Sequence, residues 1–255
     1  MKKLEHKDLL DAGVHFGHLT RKWNPAMAPF IFMEKNGIHI IDLHKTLVCL
    51  DQASDALKGI VRSGRKVMFV ATKKQAKEVV EMEAQKLKMP FVTERWLGGM
   101  LTNFSTIRKS LKKMASMEKM MKEESYQNLA KRERLMMSRE KDKMSKVLGG
   151  ISDLNRLPAA LFVIDIKREH IAIAEAQKLN IPVFGICDTN SDPNKIDYPI
   201  PGNDDAFKSI QLITRYISGA MEEGLSERKK DKEEQAVAEQ EAAKRAVDEA
   251  KEVAE

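Results

Sequence analysis

Three short, predominantly apolar runs constrain this chain more than any other feature: residues 66–71 (KVMFVA), 159–164 (AALFVI) and 181–186 (IPVFGI). Runs of that length without polar alternation fit strands covered on both faces, as in parallel sheets. A stretch with helical spacing follows each one. Residues 74–87 carry Ala76, Val79, Val80, Met82, Ala84 and Leu87; residues 168–179 and 206–222 are the other two. Strand and helix in this rhythm predict parallel strands joined by right-handed crossovers, an α/β layered domain. Residues 90–92 (PFV) add a further short run.

Upstream, residues 31–34 and 38–41 flank Lys35-Asn36-Gly37. Asn-Gly between two apolar runs predicts a hairpin, because both residues accept positive φ. Residues 43–62 place Leu43, Leu47, Leu50, Ala53, Leu57, Ile60 and Val61 on one helical stripe, which Ser63-Gly64 ends. The segment from His18 to Pro25 is too polar to predict as a strand, and Gly17 predicts a turn.

With 42 % hydrophobic residues the chain can bury a core, and wholesale disorder is excluded. No apolar run approaches the ~18 residues of a membrane span. The charged start (MKKLEHKD) lacks the apolar stretch of a secretory signal. Two cysteines, Cys49 and Cys187, are too few for a disulfide framework or a four-cysteine zinc site, so a reducing cytoplasmic setting is expected.

Residues 105–148 depart from the rhythm. They hold 13 Lys and Arg against six Asp and Glu, seven of the fifteen methionines, and no Gly or Pro. Ile107, Leu111, Met114, Met117 and Met121 recur every three or four residues, the seam of a helix packing on another helix. A reversal is expected over residues 123–128. The expectation is an α-helical hairpin, a coiled coil over residues 104–149, projecting from an α/β domain made of residues 1–103 and 150–224. Two helices lying over the sheet would be the simpler arrangement. Residues 225–255, rich in Ala, Glu and Lys, are expected as a charged tail, helical or disordered. Ten acidic and seven basic residues give the tail a charge of −3, so the rest of a chain of net +6 carries +9. A body this basic points to a polyanionic partner.

No catalytic signature accompanies the α/β pattern. A phosphate loop needs a lysine and a hydroxyl directly after its second glycine, whereas Gly64 is followed by Arg65-Lys66. No Gly-x-Gly-x-x-Gly follows a predicted strand, so backbone amides have no glycine turn with which to approach a pyrophosphate. There is no Gly-x-Ser-x-Gly elbow either. The expected chemistry is non-enzymatic and without a cofactor.

The binding candidates are basic and aromatic. His15 and His18 fit a metal site if a third ligand arrives, contact with a nucleic-acid backbone, or hydrogen bonding in the core. Neither a His-Glu-x-x-His nor a cysteine pair supports the metal, and no metal site is predicted. Arg21, Lys22 and Trp23 join two phosphate-seeking charges to a stacking face, although a Trp that anchors a surface loop fits as well. Arg95 and Trp96 repeat the pairing ahead of Gly98-Gly99, where Trp96 either stacks on a base or belongs to the core. Thr102-Asn103 can cap the helix that follows. Lys73 and Lys74 follow the first long strand, at the carboxyl edge where α/β domains bind ligands and a helix N-terminus favours an anion. Asn103, Arg108 and Lys112 complete the candidate nucleic-acid surface.

Several segments carry a resemblance. Residues 9–18 (LLDAGVHFGH), Trp23-Asn24-Pro25, residues 95–103 (RWLGGMLTN) and Asp188-Thr189-Asn190 are similar to segments of the bacterial family of small-subunit ribosomal protein two. So is the pattern Pro158, Leu161-Phe162-Val163, Asp165, Glu169, Ile173, Glu175 and Asn180-Ile181-Pro182. The resemblance spans residues 9–223 and leaves out the tail. It implies a flavodoxin-like parallel sheet flanked by helices and carrying a helical hairpin. It also implies a structural role in the small ribosomal subunit: binding its ribosomal RNA between head and body, near the exit of messenger RNA, and helping to dock other ribosomal proteins. The hairpin would dock ribosomal protein one. The alternative is a flavodoxin-like protein that binds a nucleotide or phosphorylated ligand at Thr72, Lys73 and Lys74.

Overall fold

The computed structural model describes residues 3–252 apart from 124, 125, 127 and 128, so most of the expected reversal lies outside the described residues. The chain begins with α1 (His6–Asp11), β1 (Phe16–Leu19), β2 (Ile31–Lys35), β3 (Ile38–Ile41) and α2 (Leu43–Arg62). It continues through β4 (Val67–Val70), α3 (Lys74–Lys86), β5 (Phe91–Val92), α4 (Phe104–Met120) and α5 (Lys131–Leu148). The last part is β6 (Ala160–Ile164), α6 (His170–Lys178), β7 (Val183–Cys187), β8 (Tyr198–Pro201) and α7 (Phe207–Glu252).

The apolar runs become the centre of a parallel sheet of order β5-β4-β6-β7-β8. Alternate residues of each strand feed opposite cores. Val67 and Phe69 of β4, with Ala160, Phe162 and Ile164 of β6, meet α2, α3 and α7 on one face. Met68 and Val70, with Leu161 and Val163, meet α6 and the base of α4 on the other. Both faces being covered explains why the strands read as continuous apolar runs. This is the flavodoxin-like α/β arrangement that the resemblance implied. Among the described residues no helix is long and apolar enough to cross a membrane.

Three elements were not expected. β8 contains Pro199 and Pro201, which argue against a strand; it survives because it lies at the sheet edge, where some backbone N–H groups need no ladder partner. α1 is a short helix over the first described residues. β1 runs through Phe16-Gly17-His18-Leu19, where a turn was expected, and pairs with β3 in a small antiparallel sheet of order β1-β3-β2. The reason for Gly17 is a close approach rather than a turn. A Cβ there would stand 2.5 Å from Thr189 Cγ2 and 3.0 Å from the His39 carbonyl oxygen. The expected hairpin is present, with Asn36 at φ 53° and Gly37 at φ 72° between β2 and β3.

In α4 the seam residues Ile107, Leu111, Met114 and Met117 are buried, and the first three join the second core. The base of the insert is therefore anchored on the sheet. Lys113–Glu140 and Lys141–Glu118 ion pairs link α4 to α5, whose only buried residue is Leu148. At the other end, α7 continues past residue 225 without a break. Glu227 and Asp231 pair with Lys58 and Arg62 of α2, which lays the start of the charged segment along that helix.

Candidate nucleic-acid interface

The carboxyl ends of four parallel strands release polar side chains at one edge. Thr72 and Lys73 follow β4, Asp165 follows β6, Asp188 follows β7, and Asp204 and Asp205 follow β8. The N-terminal segment straps across this edge. His18 N–H donates to Thr189 Oγ1 at 2.8 Å, Asn24 N–H to the Thr189 carbonyl at 2.8 Å, and Asn203 N–H to the Val14 carbonyl at 3.0 Å. The imidazole of His18 is thereby brought among the carboxylates.

Lys73 is 9 % exposed and faces inward. Its Nζ lies 2.7 Å from Asp204 Oδ1, 2.6 Å from Asp205 Oδ1 and 3.4 Å from Asp165 Oδ2. Burial lowers its pKa, but the charges and hydrogen bonds of these carboxylates outweigh that and hold the ammonium well above its ordinary range. Asp204 is fully buried. Burial first, and then the charges of Asp165 and Asp188, push its carboxyl up to about 7 against the opposing pull of Lys73. His18 Nδ1 lies 2.8 Å from Asp188 Oδ2, and this hydrogen bond, outweighing partial burial, raises the imidazole above its ordinary value.

This geometry corrects the placement of Lys73 on an open anion-binding edge. Its charge is already shared among three carboxylates, and the edge around it is acidic. Glu169 Oε1 also accepts from the Thr72 N–H at 3.1 Å, so the position a phosphate oxygen would take is held by a carboxylate. A phosphorylated ligand at Thr72–Lys74 is disfavoured by direct charge repulsion. Lys74, by contrast, is exposed at the first turn of α3.

Trp96 is corrected as well. It is 6 % exposed, packs in the second core, and donates its indole N–H to Glu175 Oε1 at 3.1 Å, which leaves no open face for a base. Glu175, from α6, organises the whole loop. Its Oε1 also accepts from Gly99 N–H at 2.7 Å, and its Oε2 accepts from Leu101 N–H at 2.9 Å, Thr102 N–H at 3.1 Å and Thr102 Oγ1 at 3.2 Å. Burial raises its pKa, but these donors outweigh that and keep the carboxylate below its ordinary value. The loop so fixed leaves Arg95 and Asn103 exposed and leads into α4, whose Arg108 and Lys112 are exposed too.

Arg21, Lys22 and Trp23 remain at the surface, with Trp23 39 % exposed and its ring centroid 5.2 Å from that of His39. Lys22 and Trp23 line a groove of about 530 Å³ together with Lys167, His170 and Lys195. His15 is half-buried against Phe16, ring centroids 4.0 Å apart, with Nδ1 lacking a hydrogen-bond partner; burial lowers its pKa.

A family model described as ribosomal protein S2 matches residues 9–224. The chain belongs to that family. It is 71 % identical over 249 residues to the small ribosomal subunit protein uS2 of Cytophaga hutchinsonii, covering 98 % of each chain. It is 60 % identical over 241 residues to the protein of that name from Flavobacterium johnsoniae, covering 94 % of this chain and 95 % of the relative. Over 232 residues it is 60 % identical to the one from Amoebophilus asiaticus, covering 91 % of this chain and 74 % of the relative.

Membership in the ribosomal protein S2 family is membership in a structural rather than an enzymatic family. Within this ribosomal protein S2 fold, sequence reasoning passed over Lys167, His170 and Lys195, which lie far along the chain from Trp23 and meet it only through folding. It also gave Glu175 no role. Its signal was available, since an acidic residue amid the apolar positions of α6 has to find buried donors.

Proposed function

We propose that the chain is a structural, non-enzymatic component of the small ribosomal subunit that binds the subunit's ribosomal RNA. The observation that carries this reading is identity of 60–71 % along most of the chain with proteins named small ribosomal subunit protein uS2. The surface supports it. Arg21, Lys22, Lys74, Arg95, Arg108 and Lys112 are exposed charges of one sign, and Trp23 offers part of its ring in a groove with further bases. Arg and Lys neutralise phosphates, while an aromatic ring accepts an unpaired base. Asn103 and half-buried His15 and His18 lie beside these charges in sequence, and His18 acts on the RNA surface by fixing the strap that carries Arg21 and Lys22.

The chain works in the cytoplasm, within the ribosome, and contacts neighbouring small-subunit proteins. The α4–α5 hairpin is the proposed dock for ribosomal protein one, because it carries basic residues together with exposed Leu135 and Met136. The deciding experiment is co-sedimentation: the native protein should run with the small subunit on a sucrose gradient and leave it only under conditions that strip proteins from RNA. A protein found solely in the soluble fraction would overturn the proposal.

Two variants test the surface. Trp23→Ala should weaken RNA binding by ~1–3 kcal/mol if a base stacks there, with little change in melting because the ring is partly open. Arg21→Ala combined with Lys22→Ala should lower the salt slope of binding by roughly 1.4 units, at about 0.7 per lost contact to unpaired RNA. An unchanged slope in filter binding across a salt series would remove these residues from the interface.

A further inference from the structure

We propose that His18, Asp188 and Asp204 form a binding site for one divalent transition-metal cation of the zinc type. The site draws on three separate parts of the chain: β1, the segment after β7 and the segment after β8. One ligand atom from each residue lies within 4.8 Å of the other two. A tetrahedral zinc ion holds nitrogen and oxygen ligands at ~2.0–2.2 Å, which sets them roughly 3.3 Å apart, so a contraction of up to about 1.5 Å completes the site.

Two independent features point to a cation. The first is Asp204, which is fully buried: its Oδ1 is held by Lys73 at 2.7 Å, but its Oδ2 has no hydrogen-bond partner. A buried carboxylate oxygen without a donor is costly, and a metal ion satisfies it directly. The second is the local charge. Asp165, Asp188, Asp204 and Asp205 face one ammonium and one imidazole, an excess of negative charge even with His18 protonated. A dication placed among His18, Asp188 and Asp204 offsets that excess.

The donor set selects the class of ion. An imidazole nitrogen with two carboxylates suits zinc and its neighbours, whereas magnesium and calcium prefer oxygen ligands and retained water. The proton that now lies between His18 Nδ1 and Asp188 Oδ2 would leave on binding, and both atoms would turn to the metal. Lys73 stays behind as the outer partner that fixes Asp204. Asp205, whose Oδ2 is 3.5 Å from His18 Nε2 and whose side chain is half open, or a water completes the coordination from the exposed side.

The test uses the full-length free protein and zinc itself, so its outcome is separate from that of RNA binding. After equilibration with micromolar zinc and buffer exchange, elemental analysis should find one zinc per chain, and zinc should raise the melting temperature where the same concentration of magnesium does not. His18→Ala should lower zinc affinity at least tenfold, and Asp188→Asn should do the same. His44→Ala, at the His6–His44 ring pair, should bind as wild type does. If Asp188→Asn fails to fold, His18→Gln carries the test, because that imidazole is partly exposed. Cobalt in place of zinc should give a visible absorption band that His18→Ala abolishes. No retained zinc, equal retention by His18→Ala, or magnesium binding as tightly as zinc would each overturn the proposal.

Discussion

Glu175→Ala should lower the unfolding free energy by about 3–5 kcal/mol, because it unpairs two buried donors at about 1–3 kcal/mol each and three nearer water at less. The carboxylate accepts from the Trp96 indole, from the backbone of Gly99, Leu101 and Thr102, and from the Thr102 hydroxyl. Alanine strands all five donors, those of Trp96 and Leu101 in the core and the rest near water, where hydration softens the loss. At about 2–4 °C per kcal/mol for a chain of this size, melting should fall by roughly 6–20 °C. Glu175→Gln, which keeps one acceptor oxygen, should lose less. The pH dependence has a definite sign. The folded-state pKa is held below the ordinary carboxylate value, so this contribution is complete above an unfolded pKa of about 4.3 and is lost as pH falls through the folded value. Urea unfolding between pH 3 and pH 6 should therefore show a flatter acid limb in Glu175→Gln. Wild-type stability in Glu175→Ala would show that the loop from Trp96 to Thr102 is held by its apolar contacts alone.

Lys73 and Lys74 should behave oppositely although they are adjacent. Lys73→Ala removes the ammonium from between Asp165, Asp204 and Asp205 and leaves the buried carboxylate of Asp204 uncompensated beside two others, at a cost of about 3–5 kcal/mol. Lys74→Ala, at an exposed position without such partners, should change stability by less than about 0.5 kcal/mol. In RNA binding the order reverses: Lys74→Ala should lower the salt slope by a fraction of a unit to about one unit. Thermal unfolding of the two variants side by side separates these outcomes. Equal melting temperatures would mean that the ion cluster contributes nothing net and that Lys73 is better read as a surface charge.

What the sequence by itself determined is the layered architecture. The runs at 66–71, 159–164 and 181–186 had to be buried on both faces because they offer no polar alternation, and the helical stripes between them had to cover those faces. The hairpin at Asn36-Gly37 and the helical period of α4 were equally legible, since a turn and a helix are each set by residues a few positions apart. β1 and β8 were not. A four-residue strand with a glycine, or one with two prolines, is stabilised only by the partner strand beside it.

The site divides along the same line. Residue type sufficed to mark Arg21, Lys22, Lys74, Arg95, Arg108 and Lys112 as charges seeking a polyanion, and they stand exposed. Only the tertiary structure decided that Lys73 turns inward to three carboxylates and Trp96 into the core on Glu175, because those partners are separated from them by 79 to 132 residues in the chain. A charge or a ring announces what it can bind, but which partner reaches it first is set by the crossovers of the sheet. Four strand ends brought to one edge turned an apparent phosphate site into an acidic pocket around His18.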